Sequence, residues 1–153
     1  MKYSIDTSAI IDCWLLYPPD VFPALWDRLN ELIDHGVLIG PEEALRELAR
    51  KDDEAYRWAR GHRSMFVPED PRVQAEARQV LKQYPRLVDE EKETPDADPF
   101  VIALARVQGC SVVTQEKVSR NPKERPKIPD VCREVGVQWL NILEMFRELG
   151  WKF

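Results

Sequence analysis

An α/β sandwich with a mainly parallel sheet is the fold class this sequence predicts, and three observations predict it. Short apolar runs that read as strands alternate along the whole chain with segments of helical spacing. No internal repeat interrupts that alternation, and no linker is long enough to divide the chain, so residues 1–153 read as one domain. At 153 residues, with 44% hydrophobic and 32% charged side chains, the chain has enough apolar material for a core and the composition of a globular protein.

The elements follow in order. Residues 2–6, "KYSID", read as a strand, and Ser8 is placed to cap a helix through "AIIDCWLL" that "YPPD" stops. "FPALWDRLNELIDHG" puts Leu25, Leu29, Leu32 and Ile33 on one helical face, and Gly36 ends it. "VLI" at 37–39 is a buried strand. "GP" then turns into "EEALRELARK", with Pro41 in the first helical turn. Residues 53–60 are helical, 65–67 form a third strand, and "PRVQAEARQVLKQY" is an amphipathic helix. "PRLVDEEKETPDA" is a polar loop. Next come a helix opened by Asp98-Pro99, the strand "SVVT", a basic loop, a short helix from Pro129 and the strand "VQWL". Asn141 and Glu144 have capping-box spacing ahead of a last helix carrying Ile142, Met145, Phe146 and Leu149.

Composition narrows the function. No apolar run approaches the roughly 20 residues that span a bilayer, so no membrane is expected. Asp6 and Asp12 interrupt the apolar N-terminus, and no small-residue cleavage site follows, so no secretory leader is expected. Cys13, Cys110 and Cys132 are odd in number and lack CxxC spacing. That disfavours a disulfide framework or a structural zinc site, fits a reducing cytoplasm, and makes all three small core hydrophobes. His35 and His62 share no motif and are expected to face solvent. The net charge of −5 argues against broad attraction to nucleic acid, but "KVSRNPKERPK" at 117–127 is a local basic patch. It sets Lys117, Arg120, Lys123, Arg125 and Lys127 against Glu124, and reads either as a solvated loop or as a polyanion contact.

Functional groups of an open α/β sheet gather beyond the carboxyl ends of its strands, where strand order reverses. Four acids have that address. Asp6 ends the first strand, Glu47 lies on the helix after the second, Asp98 opens the helix leading into the fourth, and Glu116 follows "VVT". Each also has a plainer reading. Asp6 caps a helix, Glu47 pairs with Lys51 at i+4, Asp98 is an N-cap, and Glu116 balances Lys117. Glu43 shares a face with Glu47, so either is the functional one. Four carboxylates within about 6 Å would repel by roughly 3 kcal/mol per pair at an effective dielectric of 20. Their convergence therefore calls for a cation, and all-oxygen donors suit Mg²⁺ or Mn²⁺. Asp98 would both cap its helix and offer an oxygen to metal, whereas Asp96 assists through a water or is only solvated, the second being preferred.

At these residues the sequence resembles the PIN-domain nucleases, and within them a PIN-like subgroup described as a domain of unknown function. "YSIDTSAIID", "PEEALREL", "ADPFVIALA" and "VVTQE" carry the resemblance, in order and over nearly the whole chain. It implies a three-layer α/β/α sandwich with about five parallel strands and an acidic pocket holding one or two Mg²⁺ or Mn²⁺. By matching position, Asp6 falls on the first acid of the family, Glu47 on the Glu of its "EL" pair and Asp98 on its central Asp. Glu116 stands where the family usually has Asp, and its extra methylene implies a longer or water-mediated contact. Ser8 matches a small hydroxyl residue that supports the pocket, with Thr114, Asp96 and Glu43 as further supporting residues. The activity implied is metal-dependent hydrolysis of RNA, in many members as the toxin of a toxin–antitoxin pair restrained by an antitoxin peptide. Arg46, Arg50 and the 117–127 loop are candidates to hold the RNA.

Two rival readings bear on the same acids. An aspartyl phosphatase wants a second Asp two residues after the first, where this chain has Ser8, and a receiver domain wants a Lys near the last strand, which "VQWLN" lacks. A PIN-like module that has lost catalysis and docks a partner protein is the alternative from another class, suggested by Glu116. Five tryptophans and an apolar C-terminal helix offer either a homodimer interface or core.

Overall fold

The computed structural model describes residues 1–88 and 96–153. Five strands form one all-parallel sheet in the order β3-β2-β1-β4-β5, with β1 at Tyr3–Ile5, β2 at Leu38–Pro41, β3 at Phe66–Val67, β4 at Ser111–Val113 and β5 at Trp139–Leu140. Among the described residues eight helices surround it: α1 (Thr7–Leu16), α2 (Pro23–Asp34), α3 (Glu42–Lys51), α4 (Asp53–Arg60), α5 (Pro71–Gln83), α6 (Asp98–Gln108), α7 (Ile128–Val135) and α8 (Ile142–Glu148). The result is the parallel α/β sandwich that the alternating pattern predicts, in the three-layer α/β/α form that the resemblance implies. Strand order reverses between β1 and β4, so the crevice of the sheet opens beyond Ile5 and Val113.

The strands are only two to four residues long; the central β1 and β2 are wholly buried, so they show no alternation, whereas β5 at the edge is half-buried. α6 is buried from Val101 to Ala105 without a break. It lies between α5 on one side and β1, β2 and β4 on the other, which leaves it no polar face. The helix ends at Gly109, whose φ of 68° is a left-handed conformation that a side chain would strain. The fully buried Ser4 hydroxyl on β1 donates to the Val101 carbonyl at 2.9 Å, tying the central strand to the middle of α6. All three cysteines are buried and unpaired, as expected of core residues.

Several local expectations need correction. Asp6, not Ser8, caps α1: its Oδ1 accepts the Ala9 N–H at 2.9 Å, and Ser8 lies inside the first turn. Pro41 stays extended (φ −75°, ψ 152°) at the end of β2 and pairs with Val67 instead of entering α3. His62 is half-buried, with its ring 4.9 Å from that of Trp58. The tryptophans are core material. Trp14, Trp26 and Trp58 meet edge to face at 5.1 and 5.0 Å, and Trp151 stacks on Phe146 of α8 at 5.3 Å. Of the loop expected at 85–97, residues 85–87 form a 3-10 turn, and residues 89–95 lie outside the described residues.

Ser4→Ala is expected to lower unfolding stability by about 1 kcal/mol, because Val101 keeps its helical bond and only the added one is lost. A fall in urea midpoint with an unchanged slope checks this.

Candidate metal centre

In a parallel sheet every strand points the same way, and each following helix starts at the carboxyl edge. Helices α1, α3, α6 and α7 therefore bring their N-termini, the positive ends of their dipoles, toward one rim. The acids sit on that rim. Asp6 begins α1, Glu47 lies on the second turn of α3, Asp96 and Asp98 begin α6, and Glu116 follows β4.

Glu47, Asp96 and Asp98 form the tightest group, with one carboxylate oxygen from each inside a mutual separation of 4.8 Å. Oxygens sharing one ion through bonds of about 2.1–2.4 Å are about 3 to 4.8 Å apart, so this set fits a hard divalent cation. Glu47 is 4% exposed and Asp96 7%, whereas Asp98 keeps an open edge. Glu47 Oε2 accepts the Ala97 N–H at 3.0 Å, which joins α3 to the start of α6. Its Oε1 accepts from Lys51 Nζ at 2.9 Å, and that ammonium also acts on Asp96 and Asp98. Glu47 thus pairs with Lys51, as its i+4 spacing predicts, while it also belongs to the acidic group.

Asp6 lies beside this group. It is 2% exposed and receives three donors: the Ser8 hydroxyl at 2.6 Å and the Ala9 N–H at 2.9 Å on Oδ1, and the Thr114 hydroxyl at 2.6 Å on Oδ2. A carboxylate has about four lone-pair positions, so among the described residues Asp6 keeps one, on Oδ2. Thr114 in turn accepts the Glu116 N–H at 3.1 Å, and Ser8 accepts the Gln115 N–H at 3.2 Å, so the ends of β1 and β4 are pinned together. Ser8 and Thr114 are thus supporting residues by contact.

Three sequence expectations change at this rim. Asp96 is not solvated; it is buried, and its Oδ1 accepts the Asp98 N–H at 3.1 Å. Asp98 is therefore the first residue of α6 and not its cap, which leaves the capping bond to Asp96. Glu116 does not join the tight group. Its Oε2 accepts the Ile128 N–H at the start of α7 at 3.0 Å, although its charge still acts on Asp6 and Asp98. Glu43 is buried away from the group and takes the Gln74 amide at 3.4 Å, so α3 presents Glu47 to the rim. The only local sign of Asp96 was its spacing of two from Asp98 ahead of Pro99. Among the proposed RNA contacts, Arg46 is exposed and shared between Glu42 and Glu69 at 3.6 Å each, and Arg50 is exposed with its guanidinium on the Arg46 carbonyl.

The carboxylates repel. Burial, then the neighbouring charges of Asp96, Glu116 and Asp6, push Asp98 well above the usual carboxylate range. Burial pushes Asp6 up to about 6 despite its three donors, with Glu116 adding to the rise.

Fold and rim together define a parallel α/β sandwich with an acidic cup at its strand-order switch. The chain belongs to the family described as Domain of unknown function (DUF4411), whose model matches residues 3–153. No curated protein matches the chain. No helix among the described residues is long and apolar enough to cross a membrane.

The native state holds the Asp6 proton to about pH 6 and the unfolded chain to about 3.8. Metal-free stability should therefore fall as pH rises through that window, by on the order of 3 kcal/mol from this group. Melting temperature against pH should decline less steeply there for Asp6→Asn than for the native chain. Mn²⁺ should raise the native melting point near neutral pH and have little effect near pH 4.

Proposed function

We propose that this chain is a PIN-like, metal-dependent ribonuclease that hydrolyses RNA phosphodiester bonds, with Mg²⁺ or Mn²⁺ as cofactor. One observation carries the reading: three carboxylates spaced for one ion, backed by a buried fourth, sit at the strand-order switch of a parallel sheet. Glu47, Asp96 and Asp98 would hold the metal, and Asp6 supplies a further oxygen from its free Oδ2 position. When bound, the ion supplies charge for the phosphate oxygens and for the leaving 3′ oxygen, and makes a water reactive near neutral pH. The residues do the positioning. Ser8 and Thr114 hold Asp6 still, Ala97 fixes Glu47, and the Asp96 bond fixes the start of α6. Glu116 orients α7 and adds negative potential from its place beside Asp6 and Asp98. The sequence resemblance further supports a role as the toxin of a toxin–antitoxin pair, with an antitoxin peptide as partner and the cytoplasm as its place of action.

The Glu47–Lys51 ion pair gives a second reading some support, because an ammonium already balances one carboxylate. In that reading the fold is a catalytically degenerate module that docks a partner protein.

The nuclease reading expects cleavage of mixed single-stranded RNA in Mn²⁺, abolished by EDTA, with 5′-phosphate and 3′-hydroxyl ends. Asp98→Asn should lower the rate at least about 100-fold and weaken Mn²⁺ binding measured by calorimetry. Native Mn²⁺ affinity unchanged by Asp6→Asn and Asp98→Asn, with no cleavage between pH 6 and 9, would leave only the docking reading.

A further inference from the structure

The loop at 117–127 carries Lys117, Arg120, Lys123, Arg125 and Lys127, and all five are exposed. It contains no helix or strand, yet its backbone is fixed along its length. Asp130 on α7 accepts the Ser119 N–H at 3.1 Å and the Lys127 N–H at 2.8 Å, closing both ends of the loop on one carboxylate. The Ser119 hydroxyl lies 2.6 Å from the same group. Glu124 accepts the Arg120 N–H at 3.0 Å, Asn121 accepts the Lys123 N–H at 2.9 Å, and Arg86 donates to the Lys123 carbonyl at 3.0 Å.

Asp130 and Glu124 thus hold backbone N–H groups of the loop, and Asp130 pairs with Arg133 of its own helix at 3.8 Å rather than with the five cations. Among the described residues none of the five cationic side chains forms an ion pair. The five charges are thus carried on a hydrogen-bonded backbone with their side chains turned to solvent, where their field can act on an anion.

The charges also enclose a space. Lys117, Arg120, Arg125 and Lys127 line a hollow of about 620 Å³ together with Glu116 and Glu124, and the Glu116 N–H is held at 3.1 Å by the Thr114 hydroxyl that itself donates to Asp6 at 2.6 Å. The basic hollow and the acidic cup are therefore neighbours across one side chain. A ligand serving both must carry several negative charges in a row and be narrow enough to enter a concavity. The phosphate backbone of a single strand meets both demands, whereas a flat anionic surface would not reach the cup.

We propose that the 117–127 loop is a preformed cradle for the backbone of single-stranded RNA, holding the strand beside the cup without any need for metal. This inference rests on the ribonuclease reading for its choice of ligand, but it makes a separate measurement possible.

The test is fluorescence anisotropy with a labelled single-stranded RNA of about 12 nucleotides in EDTA, from about 50 to 200 mM salt, where no cleavage interferes. Lys117→Gln/Arg125→Gln/Lys127→Gln should lose at least about tenfold in affinity and flatten the salt slope by about two. Lys2→Gln/Arg78→Gln/Lys82→Gln removes equal charge elsewhere and should lose less than about threefold. Equal losses in both triples, an unchanged loop triple, or no binding by the native chain would each overturn the cradle. If the loop triple melts early, Lys117→Gln and Lys127→Gln separately should show the same ordering at smaller amplitude, and an unchanged affinity in both would overturn it. Failures separate cleanly. A native chain that cuts RNA in Mn²⁺ without leaning on the loop sinks only the cradle, and one that binds through the loop yet never cuts sinks the nuclease reading.

Discussion

Carboxylates gathered out of water at one edge of a parallel sheet are the constraint on which the rest of this structure depends. Charges of one sign repel more strongly as the surroundings become less polar, and folding must counter that repulsion locally. Four of the five acids have a counterweight of their own. Asp6 has three donors, Glu47 has a backbone amide and an ammonium, Asp96 has the first N–H of α6, and Glu116 has the first N–H of α7. Helix N-termini supply the rest, because a parallel sheet with helical crossovers aims them all at one rim. These dipoles reduce the repulsion without removing it, since Asp6 and Asp98 still hold their protons more tightly than free carboxylates.

Positioning of the acids follows from the core and not from the loops that carry them. Asp98 is fixed because α6 is fixed, and α6 is buried between β1, β2, β4 and α5 with Ser4 bonded to its middle. Asp6 is fixed because β1 is central and Thr114 reaches across from the end of β4. Close packing leaves such elements little freedom to drift apart when like charges push them. The apolar run behind Asp98 and the polar cup before it are thus two ends of one device.

What the sequence made legible was local. The alternation of apolar runs gave the parallel sandwich, and Asn141 with Glu144 gave the capping box of α8, both of which depend on residues a few positions apart. Choices that depended on one residue of register were lost. Asp98 reads as the cap of α6, yet it is the first helical residue and donates its own N–H to Asp96, two residues earlier. Ser8 yielded to Asp6 for the same reason at α1, and Pro41 remained in β2 because pairing with β3 outweighed its suitability for a helix start. The half-burial of His62 was invisible, because its partner Trp58 is recognisable only once α4 packs on α2. Nor does any pattern show that Glu47 and Asp98 meet, since residues far apart in sequence join only through the sheet.

Lys51 and the carboxylates show how a surface pair and an acidic cup coexist. Among the described residues one ammonium, about half exposed, pairs with Glu47 and acts on Asp96 and Asp98, while Asp6 and Glu116 act on Asp98 from outside the group. It can offset roughly one negative charge, and solvent screens part of that. A divalent ion at bonding distance from several oxygens would act more strongly on the same groups, because its charge is doubled and its separation shorter. The ion pair at Glu47 therefore offsets only part of the negative charge gathered at this rim, and the backbone donors and helix N-termini around the acids bear on the rest.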